Sequence, residues 1–257
     1  MNQTEKAELF GTLHRKGNPV ILYNIWDAGT AKAVTEAGAK ALATGSWSVA
    51  AANGFGDGQK LPMEVLIETA RSITAVNDLP LSVDFEGGYS TEPAGAAANV
   101  AKLIDAGAVG INFEDQKVGG TGLHPVEAQA ARIRTIREMA EGRGIDFFIN
   151  ARTDLFLQEG DGSRHAGLVD AAIERGKAYA AAGASGFFVP GLIEPALIEA
   201  VCAASTLPVN IMMKAGAPDP ADLARLGVSR ISYGPGPYRT MMAKLKEAAA
   251  AIYTAAG

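Results

Sequence analysis

The chain has 257 residues, with 23 lysines and arginines against 28 aspartates and glutamates, a net charge of −5. That balance, with no basic run, argues against nucleic acid or an anionic membrane surface as the main partner. Hydrophobic residues make up 48% of the sequence, enough for one sizeable core, and the single cysteine, Cys202, excludes an intrachain disulfide.

Residues 1–17, MNQTEKAELFGTLHRKG, lack the apolar centre of a secretory leader and read as an extra helix ahead of the first strand. No apolar stretch is long enough to span a bilayer, so the expected location is cytoplasmic. Short apolar runs then recur as candidate buried strands: Val20 to Ile25, Ala41 to Gly45, Leu81 to Glu86 and Gly110 to Asp115. The series continues with Phe147 to Thr153, Gly186 to Gly191, Pro208 to Met213 and Arg230 to Gly234. Between the runs lie Ala- and Glu-rich segments of helical spacing. In one of them Val65, Ile73 and Val76 share a face with Leu66 and Thr69 beside them. Four of these segments end in glycine, at Gly38, Gly107, Gly183 and Gly227, where a left-handed residue closes a helix before the next strand. Eight strand–helix units predict a (β/α)8 TIM-type barrel as a single domain over residues 1–257, with an extra N-terminal helix that could close its base. Asp27 is placed to cap the first helix after a strand.

In parallel barrels the chemistry collects at the C-terminal ends of the strands. Period-2 alternation puts Asp84 in phase with Glu86, Asn112 with Glu114, and Asn150 with Arg152, on three successive strands. Clustered carboxylates repel unless a cation intervenes. An all-oxygen set points to Mg²⁺ or Mn²⁺ rather than zinc. Arg152 suits a substrate carboxylate, which its planar fork can grip with two hydrogen bonds, and Asn150 joins it as a substrate contact.

The stretches NIWDAGTAKAVTEAGAKALATGSWSVA, VDFEGGY, INFEDQ and INARTD closely resemble the isocitrate lyase / phosphoenolpyruvate mutase superfamily, in the same order and over nearly the whole chain. The resemblance implies a Mg²⁺ (or Mn²⁺) enzyme that cleaves a C–C bond in a small 2-oxo or 2-hydroxy acid through an enolate. C–P bond chemistry, an aldolase-like condensation and a non-catalytic 2-oxo-acid binder stay open. By motif, Asp84 is the carboxylate closest to the metal, with Glu86, Glu114 and Asp57 completing the metal site through water. Arg152 matches the arginine of the A-R-T-D motif, and Gly45, Ser46 and Trp47 match the backbone cradle for a substrate carboxylate. The resemblance also implies a homo-oligomer, a dimer of dimers, whose last helix (237–257) is exchanged between subunits.

One departure is informative. The loop cysteine that serves as proton donor in isocitrate-type lyases is absent, and the chain reads QKVGGTGLHPVEAQAARI instead. His124 is the candidate acid or base in its place, with Lys117 and Tyr89 as further candidates. Cys202 reads as a core residue, and His14 and His165 as structural or surface residues. Trp26 and Trp47 are placed to wall the pocket. In the turn SYGPGPYR, Tyr233 and Arg239 are read mainly as neighbours of the last helix.

Overall fold

The computed structural model describes residues 1–255. Eight parallel strands form its centre: β1 (Val20–Leu22), β2 (Leu42–Ala43), β3 (Leu81–Asp84) and β4 (Gly110–Glu114), then β5 (Phe148–Arg152), β6 (Gly186–Phe188), β7 (Val209–Met212) and β8 (Arg230–Ser232). Hydrogen-bonded neighbours run from β2 through to β8 in sequence, and β8 pairs with β1. The last seam, between β1 and β2, is closed by a parallel bridge of Ile25 with Thr44. There the Ile25 N–H donates to the Ala43 carbonyl at 2.9 Å and the Gly45 N–H to the Ile25 carbonyl at 3.2 Å. The predicted (β/α)8 barrel is borne out.

The helices are α1 (Gln3–Leu13), α2 (Ala28–Glu36), α3 (Ser46–Ala52), α4 (Met63–Ala75), α5 (Pro93–Asp105) and α6 (Val126–Gly142). They continue with α7 (Leu155–Gln158), α8 (Val169–Ala181), α9 (Pro195–Ala204), α10 (Pro220–Arg225) and α11 (Gly236–Ala255). Asp27 caps α2, its carboxylate accepting from the Thr30 N–H at 2.7 Å. The four recurrent glycines take φ of 89° to 97°. At Gly183 the missing Cβ also makes room for Arg137, since a Cβ would stand 2.7 Å from its Cγ. Arg137 uses that space to reach the carbonyls of Gly183 and Phe147, tying α6 to the rim of β5 and β6.

Several strands stop earlier than their apolar runs. The first leaves the ladder at Leu22 because the Asn24 side chain takes over its hydrogen bonding. Its Oδ1 accepts from the N–H groups of Tyr233 and Gly234, both at 2.8 Å, and its Nδ2 donates to the Thr44 carbonyl at 2.8 Å. One amide thus stitches β8, β1 and β2 together. The third run stops at Asp84, and Glu86 lies beyond the strand with φ of 50°. Glu86 therefore does not share a strand face with Asp84 through simple alternation.

The N-terminal helix, shorter than the predicted 1–17, plugs the base of the barrel. Phe10 meets Phe148 edge-on at 5.2 Å, and the His14 ring stacks on Phe148 at 4.1 Å. At the other end of the chain, α11 keeps only Pro237 buried. The predicted helix 237–257 corresponds to this element, residues 256 and 257 lying outside the described residues.

Candidate active site

Asp84 stands at the end of β3, its N–H donating to Thr44 Oγ1 at 2.9 Å. Its Oδ2 accepts from the Ser46 N–H at 2.9 Å, while its Oδ1 is buried and has no partner. Glu86, one turn further, accepts from the Gln59 N–H at 2.7 Å and so fastens the loop that carries Asp57. Burial, then the charge of Asp84, then that of Asp57 push the Glu86 carboxyl up to about 7. Burial and Asp84 also raise Asp57. On β4, burial raises the Glu114 carboxyl well above its ordinary value, although Arg152 pulls the other way.

Arg152, on β5, is clamped on both sides. Its Nη1 lies 3.1 Å from Glu114 Oε2, and its Nε and Nη2 donate to the two carboxylate oxygens of Asp154 at 2.6 and 3.0 Å. Register explains the first pair, since Glu114 and Arg152 are directly opposite on β4 and β5. Asp154 is itself held by its N–H, which donates to Asp115 Oδ1 at 3.0 Å. Asp115 in turn accepts from Arg175 and from the Tyr179 hydroxyl on α8. A chain of charge-assisted bonds thus fixes the guanidinium from the helix layer inward.

Asp84 and Arg152 line one cavity of about 240 Å³ together with Gly45, Ser46, Trp47, Asp57 and Asn112. Asn112 has a forced orientation. Its Oδ1 accepts from Arg230 Nη2 at 3.0 Å and from Asn150 Nδ2 at 2.9 Å. An arginine can only donate, so the oxygen must face Arg230. The amide N–H groups are left turned from this network, on a residue that lines the cavity.

The cavity holds most of the expected residues, with three corrections. Asn150 lies below the floor rather than on it. It is fully buried, with Nδ2 shared between Asn112 and Asn210 at 2.9 and 3.1 Å, so its role is to hold Asn112. The Gly45 and Ser46 amides are not free for a substrate carboxylate, one donating to Ile25 and the other to Asp84. His124 lines a different cavity, of about 490 Å³, with Lys117, Tyr89 and Arg132. Burial, Arg132 and Lys117 lower its pKa. The loop that bears it is a small hairpin, closed by an antiparallel bridge of Gln116 with Leu123.

The metal set needs a similar adjustment. Among the described residues, no three His, Cys, Asp or Glu side chains converge tightly enough to chelate an ion directly. The arrangement fits a cation held by one carboxylate and water. Asp84 Oδ1 is the orphaned buried oxygen, and Asp57, Glu86 and Glu114 surround it at longer range. Mg²⁺ commonly keeps several waters in this way. Cys202 is far from this chemistry, its thiol buried and pushed up to about 12, mainly by desolvation.

Two residues of the site were given no role in the sequence reading. Asn112 was placed in phase with Glu114, but nothing in the spacing said that it would line the cavity. Asp154 lies two residues beyond Arg152 but outside the strand, so no periodicity marks it.

The fold and site define an acid-rimmed (β/α)8 barrel with a small cavity lined by Asp57, Asp84 and Arg152 at the C-terminal ends of its strands. The chain belongs to the phosphoenolpyruvate phosphomutase family, whose model matches residues 10–253, and so to the isocitrate lyase / phosphoenolpyruvate mutase superfamily. It is 32% identical to the 2-methylisocitrate lyase of Escherichia coli, over 81% of this chain and 70% of the relative. A Burkholderia cenocepacia crystal structure provisionally named a phosphonomutase is 48% identical, with a TM-score of 0.94 over 100% of both chains. Phosphonopyruvate hydrolase, solved with oxalate and Mg²⁺, shares the fold at a TM-score of 0.85 and 23% identity, over 100% of this chain and 89% of that one.

Proposed function

We propose that the protein is a Mg²⁺-dependent lyase or hydrolase that cleaves a C–C bond in a small 2-oxo or 2-hydroxy acid. The observation that carries this reading is the orphaned Asp84 Oδ1, in one small cavity with Asn112 and Arg152. Asp84 would hold the ion, with Asp57, Glu86 and Glu114 reaching it through water. Bound there, Mg²⁺ supplies Lewis-acid polarisation of the substrate's 2-oxygen and neutralises charge that develops on it. Asn112 donates its N–H groups to a substrate oxygen in an orientation set in advance by Arg230. Arg152 presents its remaining N–H groups to the substrate carboxylate, already positioned by Glu114 and Asp154. Such preorganised donors cost no rearrangement when charge develops. The name of the Escherichia coli relative supports a lyase.

A second reading, C–P bond cleavage or rearrangement, is favoured by the identity to the Burkholderia protein. The test is a panel of 2-hydroxy and 2-oxo acids, phosphonopyruvate included, assayed with Mg²⁺ for release of pyruvate, glyoxylate, oxalate or phosphate. Metal-dependent turnover of a carbon acid is expected, and chelation should abolish it. Turnover of phosphonopyruvate alone would establish the second reading. If no acid is turned over and none binds in a Mg²⁺-dependent way, the acidic site has been misread.

A further inference from the structure

The cavity is divided into two chemically different halves. Asp57, Asp84, Asn112 and Arg152 come from the β2 to β5 side. The opposite wall, after β5 to β7, is Leu157, Phe188, Pro190 and Met212. Arg152 and Phe188 are directly opposite in register, and the guanidinium carbon lies 5.8 Å from the Phe188 ring, so the boundary between the halves runs between them. Leu157 is 40% exposed on the short α7, an apolar side chain at the mouth where a polar one would be better solvated. Met212 leans into space kept open by Gly234, where a Cβ would stand 2.6 Å from its sulfur.

Among the described residues, Arg152 and Arg239 are the cations that line the cavity, and neither belongs to the apolar wall. The nitrogens of Arg152 face Glu114 and Asp154. The other arginine lining the cavity, Arg239, lies over the Trp47 ring at 4.6 Å, on the β2 side. A carboxylate pressed against Phe188, Pro190 and Met212 would lose its hydration without gaining a partner, which is strongly unfavourable. An alkyl group there gains by burial.

Resting on the function proposed above, we infer that the substrate is a 2-oxo acid with one carboxylate at the polar half and, beyond a hydroxyl or carbonyl at C4, an uncharged, apolar substituent against the Leu157–Phe188–Pro190–Met212 wall. The electron pair of the broken C3–C4 bond then becomes the enolate of the 2-oxo acid, and the apolar part leaves as an aldehyde or, with water, as a carboxylic acid. The protein thus differs in substrate class from an enzyme of dicarboxylates or tricarboxylates. The size of the cavity, about 240 Å³, limits that substituent to a few carbons.

The experiment is equilibrium binding to the full chain with Mg²⁺, read by tryptophan fluorescence, since Trp47 lines the cavity. The probes are oxalate, 2-oxobutyrate, 2-oxoisovalerate and 2-oxoglutarate. The alkyl acids are expected to bind on the order of tenfold or more tighter than 2-oxoglutarate. Placing a cation in the wall, by Met212→Lys or at the exposed Leu157→Lys, should reverse or erase that ratio. If 2-oxoglutarate binds the unmodified protein as tightly as the alkyl acids, the inference is overturned while the acidic site stands. If oxalate itself does not bind with Mg²⁺, the functional reading fails and this inference with it. The ranking in the unmodified protein decides the matter even where a variant does not fold.

Discussion

Arg152 meets three carboxylate oxygens with three nitrogens, two from Asp154 and one from Glu114. A lysine cannot span that set, because its ammonium is a point donor without the planar fork. Arg152→Lys should lower kcat/KM by on the order of ten- to a hundredfold, since a charge-assisted hydrogen bond contributes about 1.5–3 kcal/mol. Asp154→Asn should approach the same loss, although Asp154 does not line the cavity, because it removes the clamp rather than the clamped group. Steady-state kinetics on both variants tests this; an Asp154→Asn enzyme with ordinary kcat/KM would mean the clamp is dispensable. Arg230 makes a second case. It is 1% exposed, its Nε and Nη1 have no partner, and its Nη2 donates to Asn112 Oδ1. Replacing buried ionic groups by apolar chains is often neutral or stabilising, because the desolvation that lowers the Arg230 pKa to about 9 is removed with the charge. Arg230→Met should therefore keep or raise the urea midpoint while weakening Mg²⁺-dependent oxalate binding, as the Asn112 amide loses a fixed orientation. A lower midpoint with unchanged binding would make Arg230 purely structural. The sequence made these side chains visible as in-phase pairs. What period 2 cannot tell is depth along the strand: Asn150 and Arg152 share a face, yet one is under the floor and the other above it.

At the scale of elements, the eight strands and the helix-ending glycines were legible because both depend on local physics, apolar continuity and left-handed backbone. The ends of strands were not. At β1 the ladder passes to the Asn24 amide, and at Glu86 the backbone turns left-handed, neither of which an apolar run records. The N-terminal helix was also visible, and His14 was read there as structural or surface, but its depth of burial was not legible. His14 is buried against Phe10 and Phe148 with one ring nitrogen on the Phe10 carbonyl at 2.7 Å, its other nitrogen unpartnered. Burial first, then the charge of Arg230, lowers its pKa from 6.5 to about 3. The unfolded chain takes up a proton on this ring as pH falls below about 6.5, whereas the folded chain does not. The stability this group contributes is therefore fully present above 6.5 and is lost as pH falls toward 3. The slope should reach about 1.4 kcal/mol per pH unit within that window. Urea unfolding of His14→Phe at pH 7, 6, 5 and 4 should show a flatter decline than the unmodified protein. Parallel declines would place the acid sensitivity in the rim carboxylates instead.

At the scale of the whole molecule, the barrel leaves two apolar surfaces unmatched. The outer side of β1 shows Ile21 at 47% and Tyr23 at 44% exposure, in a groove of about 480 Å³ shared with Leu13, Pro19 and Val34. The helix after β8 leaves that groove open. Along α11, Met242, Leu245 and Ile252 fall on one helical face, with Met241 and Tyr253 beside them, all exposed. An exposed apolar face of this extent marks an association site. The exchange of the last helix between subunits expected from the sequence would pair these two surfaces, and the prediction is that α11 of a second copy covers the β1 groove. The resemblance read from the sequence implies the same exchange within a dimer of dimers. Leu245→Glu with Ile252→Glu puts two charges on this face while touching no cavity residue. Light scattering after size exclusion should find the unmodified chain as an oligomer and the double variant as a smaller species with a lower Tm. An unmodified chain that stays monomeric at micromolar concentration would leave the α11 face without this partner, and the exchange would have to be abandoned.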